Sequence, residues 1–165
     1  MMPAAQPAQS CFHPTSALDY IPRHELEQLQ LQRMRAIVSR AYEHVPLFQT
    51  RLKDRGFVPN DIRSLSDVAK LPFTVKTDLR DTYPFGLFAS PMQEIVRLHA
   101  SSGTTGKPIV VAYTNGDVDV WSSVMARSFA ACGLHEGDIV KTLTDMASSP
   151  AVWARIMEQS GWALP

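Results

Sequence analysis

Residues 101–107 read Ser101-Ser102-Gly103-Thr104-Thr105-Gly106-Lys107, placing four hydroxyls, two glycines and one ammonium in seven consecutive positions. Such a stretch has little to bury in a core. It supplies hydroxyl donors, backbone N–H groups left sterically open beside glycine, and a lysine charge, a set that suits polyphosphate oxygens. Composition alone leaves a plainer reading open, a hairpin whose Ser and Thr side chains face water. A Walker A loop is excluded by spacing. That motif needs four residues between its glycines and a Ser or Thr after the lysine. Here only Thr104 and Thr105 separate Gly103 from Gly106, and Pro108 follows Lys107.

The elements that must hold this loop are apolar runs on either side, Ile95 to Leu98 and Ile109 to Ala112 or Tyr113, which read as strands. No helix follows the loop directly, so no helix N-terminus is expected to add its dipole there. Further on, Thr114 and Asp117 have the spacing of a capping box. The helix they open has Val118, Trp121, Met125, Phe129 and Cys132 on its apolar face, with Gly133 after it. Trp121 and Cys132 are both expected to be core residues. A turn at Glu136-Gly137-Asp138 then leads to a strand at Ile139-Val140.

Upstream, Pro22 suits a helix start, and Leu26, Leu29, Met34, Ile37, Val38, Ala41 and Val45 recur at helical spacing. Pro46 ends that helix and opens another through Leu47, Phe48 and Leu52, closed by Gly56 as a left-handed cap. A turn at Pro59-Asn60-Asp61, a short helix at Ser66 to Ala69 and a buried corner at Leu71-Pro72-Phe73 follow. Thr74 is expected to cap a helix through Lys76, Asp78 and Leu79, with Lys76 and Arg80 as solvated charges. Tyr83 to Phe88 reads as an aromatic loop. Helices first, then strand, loop, strand, helix and strand, make an α/β chain.

The 165 residues have the length of one domain, and 16 basic side chains balance 16 acidic ones. No global field therefore draws the chain to nucleic acid or to an anionic membrane. No apolar run approaches spanning length, and the first 16 residues lack both the basic cluster and the apolar core of a secretory signal. They read as a disordered leader on a cytoplasmic protein. Cys11 and Cys132 have no metal-ligand spacing, and His24, His44 and His135 read as surface or structural residues. His99 adjoins the loop and is a candidate for orienting it.

The string Ser-Ser-Gly-Thr-Thr-Gly-Lys-Pro at 101–108 resembles the phosphate loop of acyl-adenylate-forming enzymes. Other stretches narrow the likeness to phenylacetate–CoA ligases: Tyr20-Ile21-Pro22-Arg23, Arg40 to Pro46, Leu71-Pro72-Phe73-Thr74, Asp78 to Leu87, and Arg97 to Pro108. The resemblance runs from Leu18 to Val140. It implies the N-terminal portion of the large domain of an adenylate-forming enzyme. In that family, ATP and an arylacetate such as phenylacetate give an acyl-adenylate and pyrophosphate, and the thiol of coenzyme A then displaces AMP. Ser101, Ser102, Gly103, Thr104, Thr105, Gly106 and Lys107 would hold the β- and γ-phosphates. With Mg2+ they would steady the charge growing on pyrophosphate, a role in which one donor is worth about 3 kcal/mol. A homodimer is implied by analogy alone.

From Lys141 the likeness stops. The family continues with a glycine- and aromatic-rich segment that helps shape the acid pocket. Permitted codons for Met146 to Trp162, read one frame over, spell a string of that kind, so residues 141–165 are expected to be a frameshifted tail. The expected organisation is a disordered leader at 1–17, the first part of an AMP-binding adenylation domain at 18–140, and the departing tail. The family's catalytic lysine lies beyond such a chain, which would then be inactive alone. Two alternatives stay open: a ligase for a different acid, and an inactive fragment serving at most as an interaction module.

Overall fold

A computed structural model describes residues 14–100, 108–134 and 138. The expectations for the leader before Pro14, the loop at 101–107, His135, the turn at Glu136-Gly137, the strand at Ile139-Val140 and the tail lie outside the described residues.

Two prolines set the helical start. Pro22 precedes α1 (Arg23–His44), and Pro46 is the first residue of α2 (Pro46–Asp54). A proline ring disfavours the helical region for the residue before it, so Val45 is extended at φ −114° and ψ 98° and separates the two helices. At the end of α2, Gly56 takes φ +61°. Its N–H donates to the Lys53 carbonyl at 2.9 Å, and the Phe57 N–H to Leu52 at 3.0 Å. This is a Schellman closure, in which a left-handed glycine lets the chain turn back over the helix it ends. The turn carries Phe57 into a cluster with Val38, Leu52 and Ile62, flanked by Leu31, Met34, Tyr42, Phe48 and Leu71. Leu52 is completely buried, a side-chain burial worth about 2 kcal/mol.

Ile37 does not join that cluster and is 67 % exposed. Val38, one position or about 100° further round the helix, takes the core-facing place.

Between residues 57 and 90 there is little regular structure, and an arginine of α1, one of α2 and the arginine capping α2 take up the loop carbonyls. Arg35 Nε donates to the Ile62 carbonyl at 2.8 Å, Arg51 Nη1 to Phe73 at 2.8 Å, and Arg55 Nη1 to Lys70 and Leu71 at 3.0 Å each. Aspartates do the complementary work for N–H groups. Asp61 accepts from Val58 N at 2.9 Å, Asp67 from Ser64 N at 2.8 Å and Asp78 from Val75 N at 2.8 Å. Each lies three residues after the group it satisfies and pins the start of a short helix: Pro59–Asp61, Leu65–Lys70, and α3 (Lys76–Asp81).

Three expectations do not hold in this region. The residue preceding α3 is Val75, and the first turn is closed by the Asp78 carboxylate rather than by Thr74. The corner at Leu71-Pro72-Phe73 is only partly inward: Leu71 packs on the core, whereas Phe73, its carbonyl held by Arg51, is 85 % exposed. Arg80 is half-buried rather than a solvated charge, while Lys76 is exposed as expected. The segment from Tyr83 to Phe88 contains a cis Tyr83–Pro84 bond and a tilted Phe85–Phe88 ring pair 5.1 Å apart.

Two strands follow, β1 (Ile95–Ala100) and β2 (Val110–Thr114), paired antiparallel. The helix α4 (Asn115–Ala131) begins directly after β2. Its most buried positions are Val118, Ser122 and Ala126, spaced by four. Trp121, Met125 and Phe129 flank this line and are half-buried. Cys132 lies past the helix end and is exposed, so it is not the core residue its spacing suggested.

Contacts divide the molecule into two compact units, one of residues 22–118 and one combining the segment before Pro22 with the segment after Val118. Within the second unit a short helical turn at Pro14–Asp19 ends in Asp19, whose carboxylate is ion-paired with Arg127.

Candidate phosphate-loop site

The hairpin is the frame of the site. Its rungs pair Arg97 with Tyr113, Leu98 with Ala112, His99 with Val111 and Ala100 with Val110. Ladder bonds hold the two strand ends, Ala100 and Val110, opposite each other, and residues 101–109 connect them. The loop of Ser, Gly, Thr and Lys therefore leaves from a fixed mouth. Its residues 101–107 are outside the described residues, so their atoms are not placed against one another, and Pro108 and Ile109 are half-buried.

At the far end of the hairpin a bulge between Ile95 and Arg97 shifts the register, with Ile95 opposite Thr114. Such a bulge bends the strand locally and re-aims its side chains. Thr114 then starts α4. Its N–H and hydroxyl both donate to Asp117 Oδ2 at 2.8 Å, and Asp117 N–H donates back to the Thr114 hydroxyl at 3.2 Å. The capping box expected from the sequence is present. It also places the α4 N-terminus four residues along β2 from the loop mouth, about 13 Å away at strand rise. That N-terminus is satisfied by its own aspartate.

The two faces of the hairpin are unlike. Val96 and Leu98 are exposed, whereas Ile95, Arg97 and His99 alternate with them on the more buried face of β1, a face shared by Val111, which lies opposite His99 and is itself exposed. There the His99 ring meets the Tyr113 ring edge-on, with centroids 5.1 Å apart and planes at 63°. The expectation that His99 adjoins the loop is met in position, one residue before the end of β1.

Spacing gave no warning of the pair between α2 and α3. Arg51 grips Asp78 with two bonds, Nη1 to Oδ2 at 2.6 Å and Nη2 to Oδ1 at 2.7 Å. The Arg51 bond, followed by the Val75 N–H, holds the Asp78 carboxyl down at about 2. Asp67 is likewise held well below the usual carboxylate range, first by Lys70 at 2.7 Å and then by the N–H groups of Arg63 and Ser64. The only sequence signal for Asp78 was its place three residues after Val75; for Arg51 there was none, since partners 27 residues apart are joined only by folding.

Beside this pair lies a groove of about 300 Å3 lined by Ala41, Val45, Leu47, Phe48, Arg51, Thr74 and Leu87. It is mainly apolar, and the guanidinium in its wall is already matched by Asp78. Its chemistry suits structural packing more than capture of an acid. Among the described residues no group of three or more His, Cys, Asp or Glu side chains could hold a metal ion, and no helix is long and apolar enough to cross a membrane.

Comparison with known proteins locates this frame. The chain is 48 % identical over 139 residues to the phenylacetate–coenzyme A ligase of Aromatoleum evansii, covering 84 % of this chain and 31 % of that protein. To the enzyme of the same name from Pseudomonas putida it is 54 % identical over 115 residues, 70 % of this chain and 26 % of the relative. The Thermus thermophilus protein is 51 % identical over 120 residues, with coverage of 73 % and 27 %. The chain thus spans between a quarter and a third of the length of these relatives.

Among solved structures, an open conformation of 2-hydroxyisobutyryl-CoA ligase in complex with 2-HIB-AMP and CoA superposes with a TM-score of 0.69 at 26 % identity. It covers 84 % of this chain and 34 % of that one. The same ligase in its thioesterification state gives 0.68 at 28 % identity, covering 88 % and 32 %. No family model matches the chain. The expected α/β class and adenylate-forming fold are both borne out.

Proposed function

We propose that this chain, which belongs to the phenylacetate–coenzyme A ligase family over the stretch it shares with those proteins, provides the ATP phosphate-binding part of an acid–thiol ligase. The activity in view is ATP-dependent formation of an aryl-acetyl adenylate, with release of pyrophosphate, followed by transfer of the acyl group to coenzyme A. Phenylacetate is the acid in this reading. What supports it is that the donor-rich string 101–107 connects the two strands of an antiparallel hairpin in sequence, in a chain about half identical to phenylacetate–coenzyme A ligases over the 115–139 residues aligned.

In this reading Ser101, Ser102, Gly103, Thr104, Thr105, Gly106 and Lys107 hold the β- and γ-phosphates. When the acid's carboxylate oxygen attacks the α-phosphorus, the bond to the bridging oxygen breaks and negative charge moves onto pyrophosphate. Hydroxyl, N–H and ammonium donors of these residues would stabilise that charge where it develops. Mg2+ would arrive with the nucleotide. The described side chains supply no carboxylate or imidazole cluster for it, and no step is assigned to it. A cytoplasmic, homodimeric enzyme completes the proposal by analogy with the family.

The divisions at 1–17, 18–140 and 141–165 belong to the same proposal, with the tail frameshifted. A graft tests it. Residues 18–140, placed in the Thermus thermophilus ligase in exchange for its matching part, should support phenylacetate-dependent exchange of labelled pyrophosphate into ATP. Gly106→Ala should abolish most of that exchange while leaving the fold intact. Exchange with a different acid would move the chain to a neighbouring specificity. A folded graft without exchange for any acid would refute the assignment.

A further inference from the structure

We propose that the exposed Phe73 ring and the apolar groove beside it form a docking surface for a second copy of this chain, each copy inserting its Phe73 into the groove of the other. The inference deepens the homodimer of the reading above, on which it rests, and is independent of the phosphate-binding assignment.

The ring is placed as a knob. Phe73 is 85 % exposed, more than any other large apolar side chain among the described residues. Its backbone is nevertheless held. Arg51 Nη1 donates to the Phe73 carbonyl at 2.8 Å, while Nη1 and Nη2 together grip the buried Asp78 carboxylate. A side chain whose base is already ordered loses less freedom on association than one on a slack loop.

The hole lies next to it. Thr74 follows Phe73 and lines the groove of about 300 Å3, and Arg51 stands in the walls both of that groove and of the cleft beside Phe73. Ala41, Val45, Leu47, Phe48 and Leu87 make the groove apolar, and the chain's own Phe73 does not line it. A cavity of about 150 Å3 already accepts a benzene ring, so a phenyl group has room there.

Two features point to a second copy as the occupant. Knob and groove lie side by side, so one two-fold rotation places each ring over the other copy's groove and closes both contacts at once. A one-sided contact would leave a knob and a groove open on every pair. The charges agree with this. Asp54 and Arg55 line the cleft with Phe73, and both are exposed. A face of one sign would repel its own copy, whereas this face carries both, and a two-fold axis can set the carboxylate of one copy against the guanidinium of the other. Two reciprocal rings and the groove walls they cover amount to about 600–1,000 Å2 of buried surface, less than the roughly 1,200 Å2 at which stable interfaces begin. The dimer is therefore weak and depends on concentration.

Sedimentation velocity of the full chain from about 5 to 500 µM tests this. The mass should rise from 18.3 kDa towards twice that value, with a dissociation constant of about 10–100 µM. Phe73→Ala should raise that constant about tenfold or more, because each dimer loses two rings. Ala41→Phe, which fills the groove from its α1 wall, should do the same. An equimolar mixture of the two variants should associate more tightly than either alone, because one intact ring then meets one intact groove. Circular dichroism checks that each variant is folded. Should Ala41→Phe not fold, Leu47→Gln, which makes the groove wall polar, takes its place.

A dimer left unchanged by both variants would overturn this surface and leave the homodimer standing. Weakening by both variants without recovery in the mixture would overturn the reciprocal exchange. An unaltered chain that stays at 18.3 kDa throughout would refute the homodimer and this surface together. If Phe73→Asp then also lowered the melting temperature of that monomer, the ring would be covered by a segment of its own chain.

Discussion

Replacing Gly86 by alanine tests whether the segment after α3 is held by close backbone approach. A methyl group at Gly86 would lie 2.7 Å from Thr82 Cβ and 2.7 Å from the Thr82 carbonyl oxygen. Ordinary contact begins near 3.4 Å, so both atoms would need to retreat by about 0.7 Å or more. Thr82 has little freedom to do so. Its N–H and hydroxyl both bond the Asp78 carbonyl, at 3.0 and 2.7 Å, and its own carbonyl accepts the Gly86 N–H at 2.8 Å.

A shift there disturbs the end of α3, the short helix whose first turn is closed by the Asp78 that Arg51 clamps. Overpacking of this kind costs about 1–3 kcal/mol, or about 5–15 °C in melting temperature for a unit of about 100 residues. Gly56→Ala is the control. It has φ +61° and nothing within 4 Å, so it carries backbone strain alone, about 1 kcal/mol. Urea titration of both variants by circular dichroism gives the comparison. If Gly86→Ala costs no more than Gly56→Ala, steric approach to Thr82 is not what selects glycine in this turn.

Further expectations come from the core and the ion pairs. Leu52→Ala removes a completely buried side chain from the centre of the α1–α2 cluster and should cost about 2–5 kcal/mol by the same titration, with an unchanged slope if unfolding remains two-state. Asp78 is held at about 2 in the folded chain, against an ordinary value of 3.8. Because the folded value is the lower one, its stabilisation is complete above about pH 4 and is lost as pH falls from there through 2. Melting temperature followed from pH 6 to pH 2 should therefore drop over that window, and Asp78→Asn should be less stable at pH 6 with a shallower acid dependence. An unchanged acid profile in Asp78→Asn would remove the Arg51 clamp from the account.

Much of the architecture is legible in the amino-acid sequence. Pro22 and Pro46 forecast the two helices because a proline ring restricts the backbone whatever surrounds it, and Gly56 forecasts the left-handed turn for the same local reason. Thr114 and Asp117 forecast the start of α4, since a capping box closes within one turn. Periodicity is a weaker guide. It puts Ile37 and Cys132 on apolar stripes, but a helix has room for only some of its apolar residues on the face that meets a neighbour. Phe73 and Arg80 likewise depart from expectation, because local pattern carries no information about which side of an irregular segment is covered.

The sequence by itself carried the likeness to phenylacetate–coenzyme A ligases, the residue types at 101–107 and the order of the described elements around them, because these depend on residue identity and short-range conformational preference. Tertiary structure alone decided that Arg51 closes on Asp78 across 27 positions, that arginines of two helices and of the cap of the second satisfy the loop carbonyls of the next segment, and that His99 meets Tyr113. Those contacts join residues with no local relation to each other. Their geometry is set by how the helices and the hairpin ladder pack and pair, and a one-dimensional pattern cannot specify that.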